Sequence, residues 1–492
     1  MSVDLLPEHI SRGLNDGQYA AVTASVDRHH LVLAGAGCGK TTVLTRRVAY
    51  LIHHGVPAEH ILALTFTRKA AEEMAERISD LAPKTSKPLV TTFHAFALSV
   101  LSESVDGVRN FERIGFPGQV RLCEAEERLA LLAKASTTGE RRQLRLQLQH
   151  LDDLLERLEV FPERTDMYCD ADRKVLSAIR DRFSMLKNKS GLWDFSDLLN
   201  GTVRLFDENS AILDRYRIRF SYILVDEFQD TNPVQIRLLH QVLGNEIRLF
   251  AVGDDDQAIY AFRGADIRPT LNFATCFSGA SILKLETNYR STTSILRHAN
   301  RIFHDKDPLY RKVLVAGNTS LQSGEKPRIA RCDDQAAAAH WIARQITRLS
   351  KSTSITIGDM AILFRTNQSL EWMAECFREA GSVSEMPQFL TVHKSKGLEF
   401  PVVFICDLEE SLFPSYRLKR KKRIVTFGGL IRALLKSRRS DSPPEDLAEE
   451  RRLFYVAVTR AKEHLFLLHV KNRQVYGRRH RFSPSRFLQY IK

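Results

Sequence analysis

The sequence predicts an α/β protein with two parallel-sheet domains covered by helices and a helical subdomain inserted into the first. Three observations carry this expectation. Short apolar or β-branched runs alternate with helical patterns in two separate stretches, the signature of parallel sheets. An interval rich in Leu, Arg, Glu and Gln, residues 100–190, interrupts the first stretch with apolar residues at helical spacing. The chain has 492 residues, more than one hydrophobic core usually organises.

The apolar run His30–Ala34 predicts a strand, followed by a glycine-rich turn and a helix over Lys40–His54. A β run, Ile61–Phe66, leads into a helix over Lys69–Leu81. Within the insertion, Leu144–Leu158 keeps helical spacing. The sheet pattern resumes at Tyr222–Val225 and Arg248–Val252, both ending in acidic turns. The second alternating stretch opens near Ser281 and takes in Met360–Phe364, Phe389–Val392, Val402–Cys406 and His464–Val470. The expected domains are therefore 1–99 with 191–280, the insertion 100–190, and 281–492. A basic segment, Arg417–Arg439, breaks the last of these and is followed by a loop containing Pro443 and Pro444.

Composition narrows the partners. A net charge of +13 favours a polyanion through attraction and counterion release, without separating nucleic acid from an anionic membrane surface. No apolar run is long enough to span a bilayer and the start lacks a signal-peptide pattern, so a cytoplasmic protein is expected. The seven cysteines (Cys38, Cys123, Cys169, Cys276, Cys332, Cys376, Cys406) are scattered and never paired as CxxC, arguing against disulfides, structural zinc and iron–sulfur clusters.

Ala34-Gly35-Ala36-Gly37-Cys38-Gly39-Lys40-Thr41 lies between a predicted strand and helix, the context of a P-loop rather than a chance glycine turn. Glycines let backbone N–H groups wrap phosphates, Lys40 supplies charge and the Thr41 hydroxyl suits magnesium. Cys38 reads as a small loop-filling residue, with a redox-sensitive thiol as the alternative. Asp226 and Glu227 end a strand, placing one carboxylate to hold a metal and the next to orient or deprotonate water. Phosphoryl transfer also needs a cation opposite the γ-phosphate, for which Arg290 and Arg460 are the candidates.

Taken in order, these residues resemble superfamily 1 helicases of the UvrD, PcrA and Rep kind. Leu14-Asn15-Asp16-Gly17-Gln18 looks like the adenine-reading Q motif, and the P-loop is similar to that family's version, with Ala34 normal at its first position. Leu64–Ala71 looks like motif Ia, Thr91–His94 like the DNA-contact motif after it, Asp226–Asp230 like motif II and Val252–Ala265 like motif III. Asn288–Ser291, Thr391–Phe400 and Glu450–Ala461 resemble motifs IV, V and VI.

The resemblance implies two RecA-like domains, ATP and Mg2+ as substrate and cofactor, and single-stranded DNA and duplex junctions as partners. It assigns base reading to Gln18, adenine stacking to Tyr289, ribose contact to Glu399, γ-phosphate coupling to Gln257 and arginine-finger roles to Arg290 and Arg460. Thr42 stands where relatives often carry arginine. Phe66, Tyr260 and Phe262 match base-stacking positions, with Thr67, Thr92, His94, Arg263 and His393 as further DNA contacts. Core packing is the ordinary alternative for any single aromatic.

The resemblance also implies 3′ to 5′ movement. The accessory subdomain usual before motif V is effectively absent, because only about ten residues separate Gly381 from that motif's strand and cannot form a core. After Pro484–Leu488 no appended nuclease or partner-binding tail is expected. The basic stretch Arg417–Arg423 with Arg438 and Arg439 reads as a grip on duplex DNA, a docking site or a solvated loop. Two activities follow: a DNA translocase or helicase, or a DNA-sensing ATPase subunit that regulates a separate nuclease, as in compact UvrD-like anti-phage systems such as Gabija.

Overall fold

The computed structural model describes residues 6–83, 86–116, 121–161, 165–166, 168–317, 324–380, 386–415, 444–475 and 478–491. They divide into two compact units. The first comprises Met1–Leu33, Lys40–Asp255 and Tyr260–Lys284, and the second Ala34–Gly39, Asp256–Ile259 and Leu285–Lys492. The basic segment and Gly381 lie outside the described residues.

In chain order, the elements that matter in the first unit begin with α1 (Asp16–Val22), β1 (His30–Ala34), α2 (Lys40–His53), β2 (Ile61–Thr65), α3 (Arg68–Leu81), β3 (Leu89–Thr92) and α4 (Phe93–Ser102). They continue through α5 (Ala125–Ala135), α6 (Leu148–Val160), α7 (Asp170–Lys189) and α8 (Phe195–Glu208) to β4 (Tyr222–Val225), α9 (Pro233–Leu243), β5 (Arg248–Gly253) and β6 (Ser281–Leu285). The sheet runs β6-β1-β5-β4-β2-β3, and its four pairs from β1 to β3 are parallel. β1 and β2 are buried along their whole length, as strands covered on both faces must be.

One sequence expectation needs correction here. Ser281–Leu285, expected to open the second sheet, is an edge strand of the first, beside β1. Its pattern announces a strand but carries no information about which strand it pairs with. The helical spacing of Leu144–Leu158 spans two helices: a helix over Thr138–Leu144 closes at Arg145, which takes the left-handed conformation at φ 57°, and α6 starts at Leu148. Leu144, Leu146 and Leu148 all pack on one core, so apolar spacing survives across the break. That core, built around Leu132, Leu151, Leu155, Ile179 and Phe183, belongs to the inserted helices themselves.

The second unit contains α10 (Thr293–Ile302), β7 (Arg328–Cys332), α11 (Gln335–Ser352), β8 (Met360–Phe364), α12 (Asn367–Ala380), β9 (Gln388–Thr391), β10 (Phe400–Ile405), α13 (Pro444–Val458) and β11 (Ala461–Val470). Its sheet is parallel throughout, in the order β7-β11-β10-β8-β9. Ile342, Ile346, Ile362, Phe364, Phe404 and Phe466 form its core with α11 and α12. Among the described residues, no helix is long and apolar enough to cross a membrane.

Candidate nucleotide and DNA sites

In the first unit, Lys40 and Thr41 occupy the first turn of α2, where unpaired backbone N–H groups and the helix dipole favour an anion. Thr41 and Thr42 are partly exposed, and their carbonyls accept the Thr45 hydroxyl at 3.0 and 3.2 Å. Lys40 Nζ lies 3.9 Å from Glu227 Oε1. Beyond β4 the chain turns sharply: Glu227 takes φ 47°, and its N–H donates to Asp226 Oδ1 at 2.9 Å. A non-glycine residue in that region costs about 1 kcal/mol or more and persists only where its surroundings impose it.

Gln229 imposes it. Its side-chain amide donates to Glu227 Oε2, and its side-chain oxygen accepts the Asp254 N–H at 2.8 Å. A Cβ on Gly253 would lie 2.5 Å from that oxygen, so glycine makes the room. Sequence reasoning gives Gln229 no role; the only available signal is an amide two positions after a strand-end carboxylate. Gln18 is buried in α1, where its side-chain oxygen accepts the Asn15 N–H at 3.2 Å in a capping box.

In the second unit, the glycine-rich loop is held from outside itself. The Gly35 N–H donates to the Leu285 carbonyl at 3.1 Å, and the Tyr289 N–H donates to the Gly37 carbonyl at 2.9 Å. Buried Asn288 donates through Nδ2 to the Ala36 carbonyl at 2.6 Å, while its Oδ1 accepts the N–H groups of Arg290 and Ser291 at 2.9 and 2.8 Å. Gly37 sits at φ 69°, and a Cβ there would be 2.8 Å from Arg290 Cβ, so a side chain is excluded twice over. Cys38 is buried, its thiol turned back on the Ala36 carbonyl at 3.7 Å.

Arg290 donates through Nε to Glu399 Oε2 at 2.7 Å and through Nη1 to the Thr459 carbonyl at 3.0 Å. Lys462 binds the other Glu399 oxygen at 2.7 Å. Burial alone would raise the Glu399 pKa, but hydrogen bonds from Lys462 and Arg290 hold it below the ordinary value. The residue expected at a ribose and the residue expected at the γ-phosphate are thus bonded to each other. Arg460, 1% exposed, donates to the carbonyls of Val456 and Leu398 at 3.0 and 2.9 Å and reaches Gln257 Oε1 at 3.2 Å. Tyr289 is 44% exposed, unusual for a tyrosine beside a buried loop.

The aromatic candidates gather in the first unit. Phe66 and Tyr260 stack at 5.5 Å with planes 13° apart, and Phe262 tilts against Tyr260 at 6.0 Å. The Arg263 guanidinium lies 5.7 and 5.8 Å from the Tyr260 and Phe262 ring centres. Phe66 is 39% exposed, just past the end of β2. Thr67 and Thr92 use their hydroxyl oxygens as N-caps of α3 and α4. His94 meets exposed Phe195 edge-on at 5.2 Å, and burial holds its pKa below the ordinary value. In the second unit, His393 is half-buried in the turn after β9, where Ser395 donates to the Thr391 carbonyl at 3.1 Å.

Residues 14–278 match the UvrD/REP helicase N-terminal domain, and residues 283–389 and 382–472 match the UvrD-like helicase C-terminal domain. The chain belongs to the UvrD/Rep helicase family. A probable DNA helicase of Mycoplasma pneumoniae is 32% identical over 504 aligned positions, covering 97% of this chain and 87% of that protein. The ATP-dependent DNA helicase PcrA of Bacillus subtilis is 34% identical over 391 positions, covering 77% of this chain and 51% of that protein. A probable DNA helicase II homologue of Rickettsia conorii is 33% identical over 364 positions, covering 73% of this chain and 54% of that protein. The chain thus spans about half the length of the latter two relatives. In UvrD-type terms, the first unit holds the lysine and acidic pair and the second the loop and arginines.

Proposed function

We propose that this UvrD-type chain is an ATP-dependent DNA translocase or helicase that moves 3′ to 5′ along single-stranded DNA. The observation that carries the reading is Glu227, in a left-handed turn, with one carboxylate oxygen bonded by the Gln229 amide and the other 3.9 Å from Lys40 Nζ. A carboxylate fixed at that angle beside the phosphate-binding cation is built to hold an attacking water.

The loop around Gly37 and the first turn of α2 present backbone N–H groups to the phosphates, and Lys40 neutralises their charge. Thr41, in that turn, and Asp226, directly after β4, offer a hydroxyl and a carboxylate of the kind that suits magnesium; when bound, the ion would supply charge neutralisation at the phosphate oxygens. Glu227 takes the proton from water. Arg290 and Arg460 stabilise charge as it develops on the transferred phosphoryl group, which requires Arg290 to exchange its bond with Glu399 for the nucleotide. Tyr289 stacks on the base, Glu399 then meets the ribose, and Gln18 reads the adenine edge. Phe66, Tyr260 and Phe262 carry DNA bases, with Arg263, Thr67, Thr92, His94 and His393 along the strand.

An assay on duplexes bearing either a 3′ or a 5′ single-stranded tail tests this. ATP-dependent unwinding of the 3′-tailed duplex alone is expected. Unwinding from the 5′ tail reverses the polarity. Hydrolysis stimulated by DNA without strand movement would favour control of a separate nuclease, and hydrolysis indifferent to DNA would sink the motor reading.

A further inference from the structure

The second unit takes in four residues of motif III, Asp256–Ile259, although both flanking stretches belong to the first unit. Cationic side chains fasten this short segment. Lys306 Nζ lies 2.6 Å from Asp256 Oδ1 and Lys312 Nζ lies 2.8 Å from Asp256 Oδ2, so each carboxylate oxygen carries its own ammonium. Lys396 donates to the Gln257 carbonyl at 2.9 Å, Arg452 to the Ala258 carbonyl at 2.7 Å, and Arg460 to the Gln257 side chain at 3.2 Å.

The two lysines differ from surface cations. The Lys312 side chain is 1% exposed and that of Asp256 5%, so the pairing excludes water and fixes both groups. Lys312 is itself pinned, because Asn300 exchanges two hydrogen bonds with Leu314, at 2.9 and 2.8 Å. Leu314 in turn reaches the glycine-rich loop: a Cβ on Gly35 would fall 2.3 Å from its Cδ2. One short stretch, residues 306–314, therefore grips Asp256 through Lys306 and Lys312 and meets the glycine-rich loop through Leu314.

We propose that Lys306 and Lys312 are positioning residues for the hydrolytic reaction. Their clamp on Asp256 fixes the backbone from which Gln257 reaches Arg460. The inference rests on the reading of the chain as a DNA-stimulated ATPase.

ATP hydrolysis by the full chain, measured with and without oligo(dT), tests it in Lys306→Met, Lys312→Met and Lys306→Arg variants. Each methionine variant is expected to lose at least fivefold in DNA-stimulated kcat with the KM for ATP within twofold of wild type. Lys306→Arg keeps the cation and is expected to stay within twofold in both. Wild-type stimulation in the methionine variants overturns the clamp, as does an equal loss in Lys306→Arg and Lys306→Met. Should Lys312→Met fail to fold, the pair of variants at Lys306, whose side chain is 18% exposed, decides. Absence of stimulation in the wild-type protein would instead remove the functional reading beneath it.

Discussion

Asn288 Nδ2 donates to the Ala36 carbonyl at 2.6 Å, so a side chain far along the sequence sets the shape of the glycine-rich loop. The same side chain accepts from the backbone of Arg290 and Ser291. One buried amide therefore ties the glycine-rich loop and the start of the arginine segment together. Losing it leaves a buried carbonyl without its donor, worth about 1–3 kcal/mol. Asn288→Ala is expected to lower kcat/KM for ATP by about tenfold or more; steady-state hydrolysis measures it, and an unchanged value would show that the loop holds its shape alone.

Glu227→Gln keeps the size of the side chain and removes the base. Turnover should fall by about 10²–10⁴, the usual contribution of a positioned general base. Binding of a fluorescent ATP analogue should persist. Single-turnover hydrolysis near the wild-type rate would take Glu227 out of its assigned role.

Tyr260→Ala removes one face of the Phe66 stack, set at 5.5 Å. Single-strand affinity is expected to weaken by about 1–3 kcal/mol. Because the rings touch, Phe66→Ala and Tyr260→Ala combined should cost less than the sum of the two. Fluorescence anisotropy with labelled oligo(dT) checks both points; strict additivity would mean that the rings do not form one platform.

Glu159, in α6, has a pKa raised to about 7, first by burial and then by the charge of Asp194, against the opposing pull of Lys187 and Arg128. Its Oε2 is buried without a hydrogen-bond partner among the described residues. A carboxyl raised in the fold favours the fold while protonated, and that advantage fades as pH rises from the ordinary 4.5 through about 7. Glu159→Gln imitates the protonated form. It should raise stability at pH 8 by about 1–3 kcal/mol and change little at pH 5. Thermal unfolding at the two pH values measures the difference; equal effects at both would mean Glu159 is ionised throughout.

Much of the arrangement was written locally. The strands over His30–Ala34, Tyr222–Val225 and Met360–Phe364 appear at the residues their apolar runs predict, because a buried strand needs only its own side chains to announce it. Lys40 and Thr41 could be read as phosphate-site candidates in advance because a strand, a turn and a helix N-terminus make such a site from neighbouring residues. Only the tertiary structure decided that Ser281–Leu285 joins the first sheet, that Ala34–Gly39 and Asp256–Ile259 pack with the second unit, and that Arg290 rests on Glu399. Periodicity reports how deeply each residue is buried; it does not name the partner across a hydrogen bond, which here sits more than a hundred positions away.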